Sequence, residues 1–285
     1  MEISQVKALL HQSGLKARKR LGQHFLVDGD VLECILSAAE LSREDIVVEV
    51  GPGLGILTKR LAEVAGKVIA IELDSKLAGI LIRRLAPFHN VKIIHADILK
   101  IAPQQLLGDY LAIPKLAQNY KVVANLPYYI TSPILRHFLE TCDRPSLMVV
   151  MVQKEVGQAI AANPGRMSLL SVSTQFYSKP TIIAKVPAES FYPPPKVDSL
   201  ILRLDVYPKP PIEVVDVDSF FDIVSCGFKS PRKQLRNSLA QSLGISPSQV
   251  ALLLAKAGIE AKRRAETLNL GEWRELWEVF APFRK

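Results

Sequence analysis

Short runs of apolar, largely β-branched residues alternate with amphipathic stretches from residue 45 onward. The apolar runs cover residues 46–50, 68–73, 91–95, 121–124 and 147–152. The stretches between them, such as 54–65 and 76–86, repeat their apolar positions every three to four residues, which is the period of a helix. This alternation predicts a βαβ arrangement, in which a mostly parallel sheet carries helices on both faces.

The pattern changes after residue 165. Residues 181–186 and 197–204 are predicted to be two more strands without a helix between them, which indicates an antiparallel edge on the parallel sheet. Residues 208–211, Pro-Lys-Pro-Pro, are expected to form a stiff linker. Only helical patterns follow, at residues 219–228, 232–243, 248–257 and 273–280. We therefore predict an α/β domain at residues 1–207 and a small all-α domain at residues 208–285.

Composition and charge narrow the class of protein. The chain has 285 residues, of which 48% are hydrophobic, and its formal net charge of +8 favours an anionic partner. Cys34, Cys142 and Cys226 show no CxxC spacing, so neither a disulfide framework nor a zinc site is predicted. No apolar run reaches the roughly 20 residues of a membrane span. We expect a cytoplasmic protein with no bound metal and no membrane partner.

Glycines follow the first predicted strand, in the sequence Gly51-Pro52-Gly53-Leu54-Gly55. Glycines at a strand-to-helix turn accept positive φ and let the backbone approach a ligand closely. The GxGxG spacing differs from the GxGxxG dinucleotide fingerprint, and the Gly-Lys-Ser/Thr of a P-loop is absent, which disfavours a triphosphate. The loop is a candidate cofactor site whose interpretation depends on the strands beside it.

Carboxylates end the next two predicted strands. Glu72 lies 21 residues after Gly51, where it can accept hydrogen bonds from both ribose hydroxyls of a nucleoside. Asp97 ends the third strand, where an acceptor can meet an adenine amino group. Either carboxylate alone could equally be a solvated strand-end charge or a helix cap. Because ligands bind at this edge of open α/β sheets, the combination indicates a nucleoside cofactor with little negative charge, for which S-adenosylmethionine is the candidate.

The fourth predicted strand ends in Asn125-Leu126-Pro127-Tyr128. An exocyclic adenine amine is a poor nucleophile, and two acceptors aimed at its N–H bonds would restore its lone pair. The Asn125 side-chain oxygen and the Leu126 main-chain carbonyl are candidate acceptors, and Pro127 restricts the direction of that carbonyl. Tyr128 offers a ring for the base to stack on. An ordinary polar turn is the simpler interpretation of this motif alone, but the neighbouring cofactor signals favour amine methylation without a general base.

With these motifs the chain resembles the ribosomal RNA adenine dimethyltransferases of the KsgA type, over nearly its whole length. The resemblance also includes GQHFL at residues 22–26, FYPPPKVDS at 191–199, GFK at 227–229 and RKQL at 232–235. It implies a Rossmann-like class I methyltransferase fold. It further implies that S-adenosylmethionine is contacted by His24, Leu26, Gly51, Gly53, Glu72, Asp97 and Asn125.

The same resemblance implies roles at the target adenine. It assigns residues Asn125, Leu126, Pro127 and Tyr128 to the base, and Phe191 to its opposite face. The expected reaction is dimethylation of two adjacent adenosines at N6 in the 3′-terminal hairpin of 16S rRNA, within a small ribosomal subunit or its precursor, by a monomeric enzyme. Without the resemblance, His24 would more often be a surface polar residue and Phe191 a core residue.

Basic side chains are concentrated in two segments. Residues 16–20 read Lys-Ala-Arg-Lys-Arg, and residues 229–264 carry a net charge of +7 with Glu260 as the single acid. A solvated face is the usual explanation of such a run, but here contact with RNA phosphates is favoured. On a helix, residues 262–264 would spread over more than half the circumference. The basic residues of the second segment are Lys229, Arg232, Lys233, Arg236, Lys256, Lys262, Arg263 and Arg264.

Three alternative functions remain open. A relative that methylates large-subunit rRNA would share the NLPY-like and glycine motifs, although FYPPPKVDS and the long helical tail argue against it. A DNA adenine methyltransferase would usually have Asp where Asn125 stands. A non-catalytic ribosome-assembly or transcription factor of the same fold is disfavoured by the presence of Asn125, Tyr128 and Phe191.

Overall fold

The computed structural model describes residues 3–12, 14, 23–111 and 120–283. The chain divides into two compact units, Met1–Gly157 with Lys179–Val206, and Gln158–Ser178 with Tyr207–Lys285. This division differs from the single predicted boundary after residue 207. The chain enters the second unit at residue 158 and returns at residue 179, because the helix in this excursion packs on the C-terminal helices.

The first unit is built on a seven-stranded sheet. The strands of the unit are β1 Phe25–Leu26, β2 Ile46–Val50, β3 Lys67–Glu72, β4 Val91–His95, β5 Tyr120–Asn125, β6 Leu147–Gln153, β7 Ser178–Val186, β8 Phe191–Tyr192 and β9 Ser199–Val206. Its helices are α1 Ile3–Gln12, α2 Gly29–Ala39, α3 Ile56–Val64, α4 Ser75–Arg84, α5 Pro103–Leu111, α6 Thr131–Leu139 and the start of α7 Lys154–Ile160.

The sheet has the strand order β4-β3-β2-β5-β6-β9-β7. The first five of these strands pair in parallel, and β9 pairs antiparallel with β6, as the sequence predicts. All five residues of β2 are buried, because a parallel sheet with helices on both faces leaves neither face to solvent. In chain order, β2, β3 and β4 are added toward one side of the sheet, and β5 and β6 toward the other, so the order reverses between β2 and β5. That switch point is where open α/β sheets bind ligands.

A second, two-stranded sheet joins β1 to β8. Phe25 pairs with Tyr192 and Leu26 with Phe191, in antiparallel register. The Val27 N–H donates to the Ser190 carbonyl at 2.9 Å, which extends the connection by one step. These contacts attach the segment before α2 to the segment before β9, more than 160 residues away in the chain.

The second unit is helical within its described residues, apart from Ser178 at the start of β7. Its helices are the end of α7, α8 Leu169–Tyr177, α9 Val217–Phe228, α10 Leu235–Leu243, α11 Pro247–Lys256 and α12 Leu270–Phe280. The helical predictions are confirmed, although α10 begins three residues later than predicted and α12 three residues earlier. Buried aromatic side chains form much of the core, namely Phe176, Phe220, Trp273 and Phe280.

Of the two basic segments, the structure describes residues 229–264. Residues 262–264 lie in the turn between α11 and α12, so the expectation that they belong to a helix is wrong. The basic residues 16–20 lie outside the described residues. Within the described ranges, no helix is long and apolar enough to cross a membrane.

Candidate active site

A cleft opens in the first unit at the carboxyl ends of the parallel strands. Its wall combines the end of β2 and the glycine loop, the ends of β3 and β4, the end of β5, and the segment containing β1. The structure brings together every predicted site residue except Phe191. These lining residues are His24, Leu26, Gly51, Gly53, Glu72, Asp97, Asn125, Leu126, Pro127 and Tyr128.

The glycine loop has the backbone conformation that its sequence predicts. Gly51 and Gly53 have φ angles of +69° and +59°, in the left-handed region that favours glycine. A Cβ on Gly51 would lie 3.3 Å from Pro127 Cγ, and one on Gly53 would lie 3.1 Å from Phe25 Cε1. The loop therefore packs directly against the end of β5 and against β1, which brings three parts of the cleft together.

Glu72 is buried at the end of β3, with 6% of its surface exposed. Its two carboxylate oxygens accept hydrogen bonds from the Gly53 N–H at 3.0 Å and the Asp74 N–H at 2.9 Å. Burial raises the pKa of Glu72, and these backbone donors partly offset that rise. Each oxygen has a second lone pair, so both remain able to accept a hydrogen bond from a ligand hydroxyl.

Glu49 is a second buried carboxyl in the cleft that the sequence analysis did not identify. It is 2% exposed, and its Oε2 has no hydrogen-bond partner in the described part of the chain. Burial raises the pKa of Glu49 to about 8, and the charge of Glu72 adds to this effect. The Thr58 hydroxyl lies close enough to lower that pKa but forms no hydrogen bond of normal geometry. The sequence feature that could have identified Glu49 is its position as a charged residue inside the otherwise apolar strand β2.

Asp97 follows β4 and is half-buried at the cleft. Its Oδ1 accepts a hydrogen bond from the Leu99 N–H at 3.1 Å and so caps the short helix Ile98–Lys100. The cap that the sequence analysis considered is therefore present. The cofactor contact stays a prediction, for which the position of Asp97 in the cleft wall is suitable.

Asn125 is the last residue of β5 and faces the segment before α2. Its Nδ2 donates a hydrogen bond to the His24 carbonyl at 3.3 Å. The next residue, Leu126, donates its N–H to the Met151 carbonyl at 3.1 Å and has its side chain buried. Pro127 follows with φ −58° and ψ 121°. The strand end is therefore held on both sides, while the Asn125 Oδ1 and the Leu126 carbonyl remain as possible acceptors.

Tyr128 is held by two neighbours outside its own loop. Its hydroxyl lies 2.6 Å from the Ser199 Oγ, and its ring stacks on the His24 ring with a centroid distance of 6.0 Å and an interplanar angle of 22°. The His24 Nδ1 in turn lies 2.7 Å from the Pro193 carbonyl oxygen. Burial raises the pKa of Tyr128, so its hydroxyl stays protonated at neutral pH.

Phe191 is the predicted site residue that does not line the cleft. The side chain is 1% exposed and belongs to a core cluster with Leu26, Val149 and Ile201, and it does not line the cleft. The antiparallel pairing of β8 with β1 holds it there. In this arrangement its ring is packed in the core, and the expected contact with the target base stays a prediction. A role at the substrate would require the side chain to leave this cluster.

The described residues contain no group of three or more His, Cys, Asp or Glu side chains that could hold a metal ion. The polar groups of the cleft are instead carboxyls, two amides, two phenols, the His24 imidazole and main-chain groups. This combination can hold a nucleoside and accept hydrogen bonds from an amine.

Comparisons with known proteins agree with this chemistry. The family model described as "Ribosomal RNA adenine dimethylase" matches residues 14–281. A protein of Dehalococcoides mccartyi named "Ribosomal RNA small subunit methyltransferase A" is 48% identical over 278 residues, covering 98% of this chain and 93% of that protein. A protein of Moorella thermoacetica with the same name is 45% identical, with 93% of each chain covered.

Two solved structures are also similar. One is described as a dimethyladenosine transferase from Plasmodium falciparum; it has a TM-score of 0.76 and 25% identity, covering 91% of this chain and 98% of that chain. The other is described as the 23S rRNA methyltransferase ErmE, with a TM-score of 0.69 and 29% identity, covering 90% of this chain and 98% of that chain.

Proposed function

Because this chain belongs to the ribosomal RNA adenine dimethylase family, we propose that it dimethylates two adjacent adenosines at N6 in the 3′-terminal hairpin of 16S rRNA. It is a methyltransferase that acts on ribosomal RNA. The proposed substrate is the small ribosomal subunit or its precursor, and the proposed active form is a monomer. The observation that carries the proposal is the meeting of the Asn125 loop, Glu72 and the glycine loop in one cleft.

S-adenosylmethionine is the proposed methyl donor, and the residues of the cleft fit it. The cofactor would supply a methyl group on a sulfonium sulfur, which leaves as a neutral thioether. Glu72 would accept hydrogen bonds from the ribose hydroxyls and Asp97 one from the adenine amino group. The Oε2 of Glu49, which has no hydrogen-bond partner among the residues that the structure describes, supports this fit, because such a buried carboxyl can bind the ammonium of the methionine part. The absence of side chains at Gly51 and Gly53 gives the cofactor room.

The proposed chemistry at the target amine needs acceptors rather than a base. Asn125 Oδ1 and the Leu126 carbonyl would accept hydrogen bonds from the two N–H groups and favour a tetrahedral nitrogen. The amine attacks while neutral, and it loses a proton only after the new N–C bond has formed. Tyr128 would hold the base by stacking once it leaves its RNA helix.

A large-subunit substrate is the second candidate, because the structure described as a 23S rRNA methyltransferase has a similar fold. The identity to that chain is 29%, whereas the identity to the small-subunit methyltransferase of Dehalococcoides mccartyi is 48%. The higher identity favours the small subunit. The two candidates are separated by their substrates.

The deciding experiment offers labelled S-adenosylmethionine with small ribosomal subunits that lack the modification, and in parallel with unmodified large-subunit RNA. We expect label in small-subunit RNA alone, recovered as N6,N6-dimethyladenosine after digestion to nucleosides. Dimethyladenosine in the large-subunit RNA instead would contradict the proposal. No label in either RNA would contradict the activity itself.

The cofactor assignment has its own test in Glu72→Ala. Removal of the buried carboxylate should weaken S-adenosylmethionine binding at least tenfold, since about 1.4 kcal/mol corresponds to each tenfold change and a charge-assisted hydrogen bond is worth about that much or more. Glu44→Ala, at an exposed position outside the cleft, is the matched control. Calorimetric titration measures both, and equal affinity in the two variants would remove Glu72 from the cofactor site.

A further inference from the structure

Tyr129 is a large aromatic residue that the folded protein leaves half-exposed in the wall of the cleft. Its exposed fraction is 52%, and it lines the cleft beside Tyr128. Within the part of the chain that the structure describes, its hydroxyl has no hydrogen-bond partner and its ring stacks on no other ring. Tyr128, in contrast, is engaged by both Ser199 and His24. The packing of the fold therefore gives no reason for an aromatic ring at position 129.

The short helix after β5 turns the two tyrosines in different directions. Residues Tyr128–Ile130 form a single 3₁₀ turn, in which the Ile130 N–H donates to the Pro127 carbonyl at 3.1 Å. Because such a helix has three residues per turn, successive side chains point roughly 120° apart. Tyr128 is directed at Ser199, so Tyr129 is directed at another part of the cleft.

The carboxyls of Asp97 and Glu72 lie on the side of the cleft that Tyr129 faces. Partial burial raises the pKa of Tyr129, and the charges of Asp97 and Glu72 raise it further. Helix α6, which follows this turn directly, packs against the short helix Ile98–Lys100 that Asp97 caps. The turn after β5 therefore reaches the ends of β3 and β4, and Tyr129 is its residue on that side.

These two carboxyls are the groups proposed to bind the nucleoside of the cofactor. Glu72 would accept hydrogen bonds from the ribose hydroxyls and Asp97 one from the adenine amino group. A nucleoside held by both carboxyls would lie beside the Tyr129 ring. An aromatic ring and an adenosine each present flat apolar surface, and contact between them would remove the exposed ring from water.

We propose that Tyr129 is a further cofactor-binding residue, whose ring covers the adenosine part of S-adenosylmethionine. The inference rests on the proposed function, because it takes the nucleoside to be bound by Glu72 and Asp97. It assigns the two adjacent tyrosines to different ligands, Tyr128 to the target base and Tyr129 to the cofactor. Loss of the Tyr129 ring should therefore weaken cofactor binding and leave the transfer step at saturating cofactor nearly unchanged.

The test compares Tyr129→Ala with Tyr129→Phe, which keeps the ring and removes only the hydroxyl. We expect the Kd for S-adenosylhomocysteine, measured by calorimetry, to rise about tenfold in Tyr129→Ala, which corresponds to about 1.4 kcal/mol and lies within the range for stacking on an aromatic side chain. Tyr129→Phe should bind within about twofold of wild type. On small ribosomal subunits, the KM for S-adenosylmethionine should rise by a similar factor in Tyr129→Ala, while kcat stays within about twofold.

A second ligand locates the contact on the cofactor. 5′-Methylthioadenosine has the same nucleoside and thioether but lacks the amino-acid part. If the ring covers the adenosine, Tyr129→Ala should weaken the binding of both ligands by the same factor. A loss of affinity for S-adenosylhomocysteine alone would place the ring at the amino-acid part and overturn the inference.

Phe283→Ala is the matched control, because Phe283 is an aromatic residue that is 43% exposed and lies outside the cleft. Its Kd for S-adenosylhomocysteine should equal that of wild type. Melting temperatures without ligand identify any variant that fails to fold. If Tyr129→Ala fails to fold, Tyr129→Leu replaces it, since leucine keeps apolar bulk without a flat ring and should also weaken binding.

Three results separate the inference from its alternatives. An unchanged Kd for S-adenosylhomocysteine in Tyr129→Ala would overturn it. A lowered kcat or weaker binding to ribosomal subunits with that Kd unchanged would also overturn it, because the ring would then act on the RNA. A wild-type protein that binds no S-adenosylhomocysteine would instead contradict the proposed function.

Discussion

For individual residues, the properties of the cleft groups come from their surroundings. Glu49 and Glu72 are both buried carboxyls, yet only Glu72 has backbone N–H donors on both oxygens. The backbone donors partly offset the effect of burial on the pKa of Glu72, whereas burial raises the pKa of Glu49 to about 8. The surroundings also decide how the Asn125 amide is oriented. Its Nδ2 donates to a neighbouring carbonyl, so its Oδ1 is the end left to face the substrate. The residue types alone do not reveal these differences.

The first prediction concerns Glu49 and pH. The folded protein holds a proton on this carboxyl up to a pKa of about 8, whereas the ordinary value is 4.5. The resulting stability is fully present below pH 4.5 and is lost as the pH rises through 8. Glu49→Gln keeps the shape and removes the titration, so its melting temperature should fall less than that of wild type between about pH 5 and pH 8. If the melting temperatures of wild type and Glu49→Gln change by the same amount with pH, the raised pKa is contradicted. Glu44→Gln is the control at an exposed site.

The second prediction concerns Asn125. Asn125→Ala should lower kcat by about 100-fold, as removal of one preorganised hydrogen-bond partner of a transition state does. After the first transfer the amine keeps a single N–H, so the second transfer has less to orient it. Monomethyladenosine should therefore accumulate in quenched time courses analysed as nucleosides. Mostly dimethyladenosine at a wild-type rate would exclude this role for Asn125.

Among the secondary-structure elements, two very short strands and one glycine determine how larger parts of the fold pack. The two-residue strands β1 and β8 connect distant parts of the chain and hold both His24 and Phe191. In the helical unit, α9 approaches α12 at Gly227, where a Cβ would overlap the Trp273 ring. Trp273 is itself fully buried. Helices α9 and α12 can thus pack this closely only because residue 227 has no side chain.

The third prediction tests that packing with Gly227→Ala. The added methyl group has no space against the Trp273 ring, and overpacking of this kind costs about 1–3 kcal/mol of unfolding free energy. Gly79→Ala in α4 is the control, because a Cβ there meets no atom within 4 Å and alanine favours a helix. Chemical denaturation should show reduced stability for Gly227→Ala and no reduction for Gly79→Ala. Equal stability of the two variants would mean that the α9–α12 contact can adjust.

Across the entire protein, the net charge of +8 is concentrated in part on the helical unit. The Leu235 N–H donates to the Arg263 carbonyl at 2.7 Å, so the basic segment 229–236 lies beside the basic turn 262–264. Arg263 itself is engaged by Glu272 and by Thr267, whereas the side chains of Lys262 and Arg264 are exposed. Arg264 lies 3.7 Å from the Glu266 carboxylate, but this ion pair is exposed. Arg263 is therefore expected to stabilise the fold, whereas the exposed Lys262 and Arg264 can reach RNA phosphates.

The fourth prediction separates these roles. Lys262→Glu with Arg264→Glu should weaken binding to small ribosomal subunits and flatten the slope of log K against log salt by roughly 0.7–0.9 for each phosphate that is no longer neutralised. Arg263→Ala should lower the melting temperature. Binding titrations at several salt concentrations, with cofactor affinity as the internal control, measure the effect. An unchanged slope in the double variant would identify these charges as ordinary solvated side chains.

The local pattern of the chain was sufficient for much of this architecture. The strands of the seven-stranded sheet, the helices α3, α4 and α9 to α12, the antiparallel edge, the glycine loop and the position of Asn125 at a strand end follow from periodicity and turn chemistry, which act over a few residues. The carboxyl edge of the sheet then places Glu72 and Asp97 near the glycine loop, since parallel strands all end there. A candidate site could therefore be assembled before any distance was known.

The remaining features depend on contacts between residues far apart in the chain. The pairing of β1 with β8 buries Phe191 and places His24 against Tyr128, and no local pattern encodes a two-residue ladder across more than 160 residues. The raised pKa of Glu49 comes from the desolvation of its carboxyl by the packed sheet and helices. The excursion of residues 158–178 into the helical unit, and the engagement of Arg263 by Glu272, likewise depend on packing partners. Burial and electrostatics are properties of the folded surroundings, which is why these features become visible only in three dimensions.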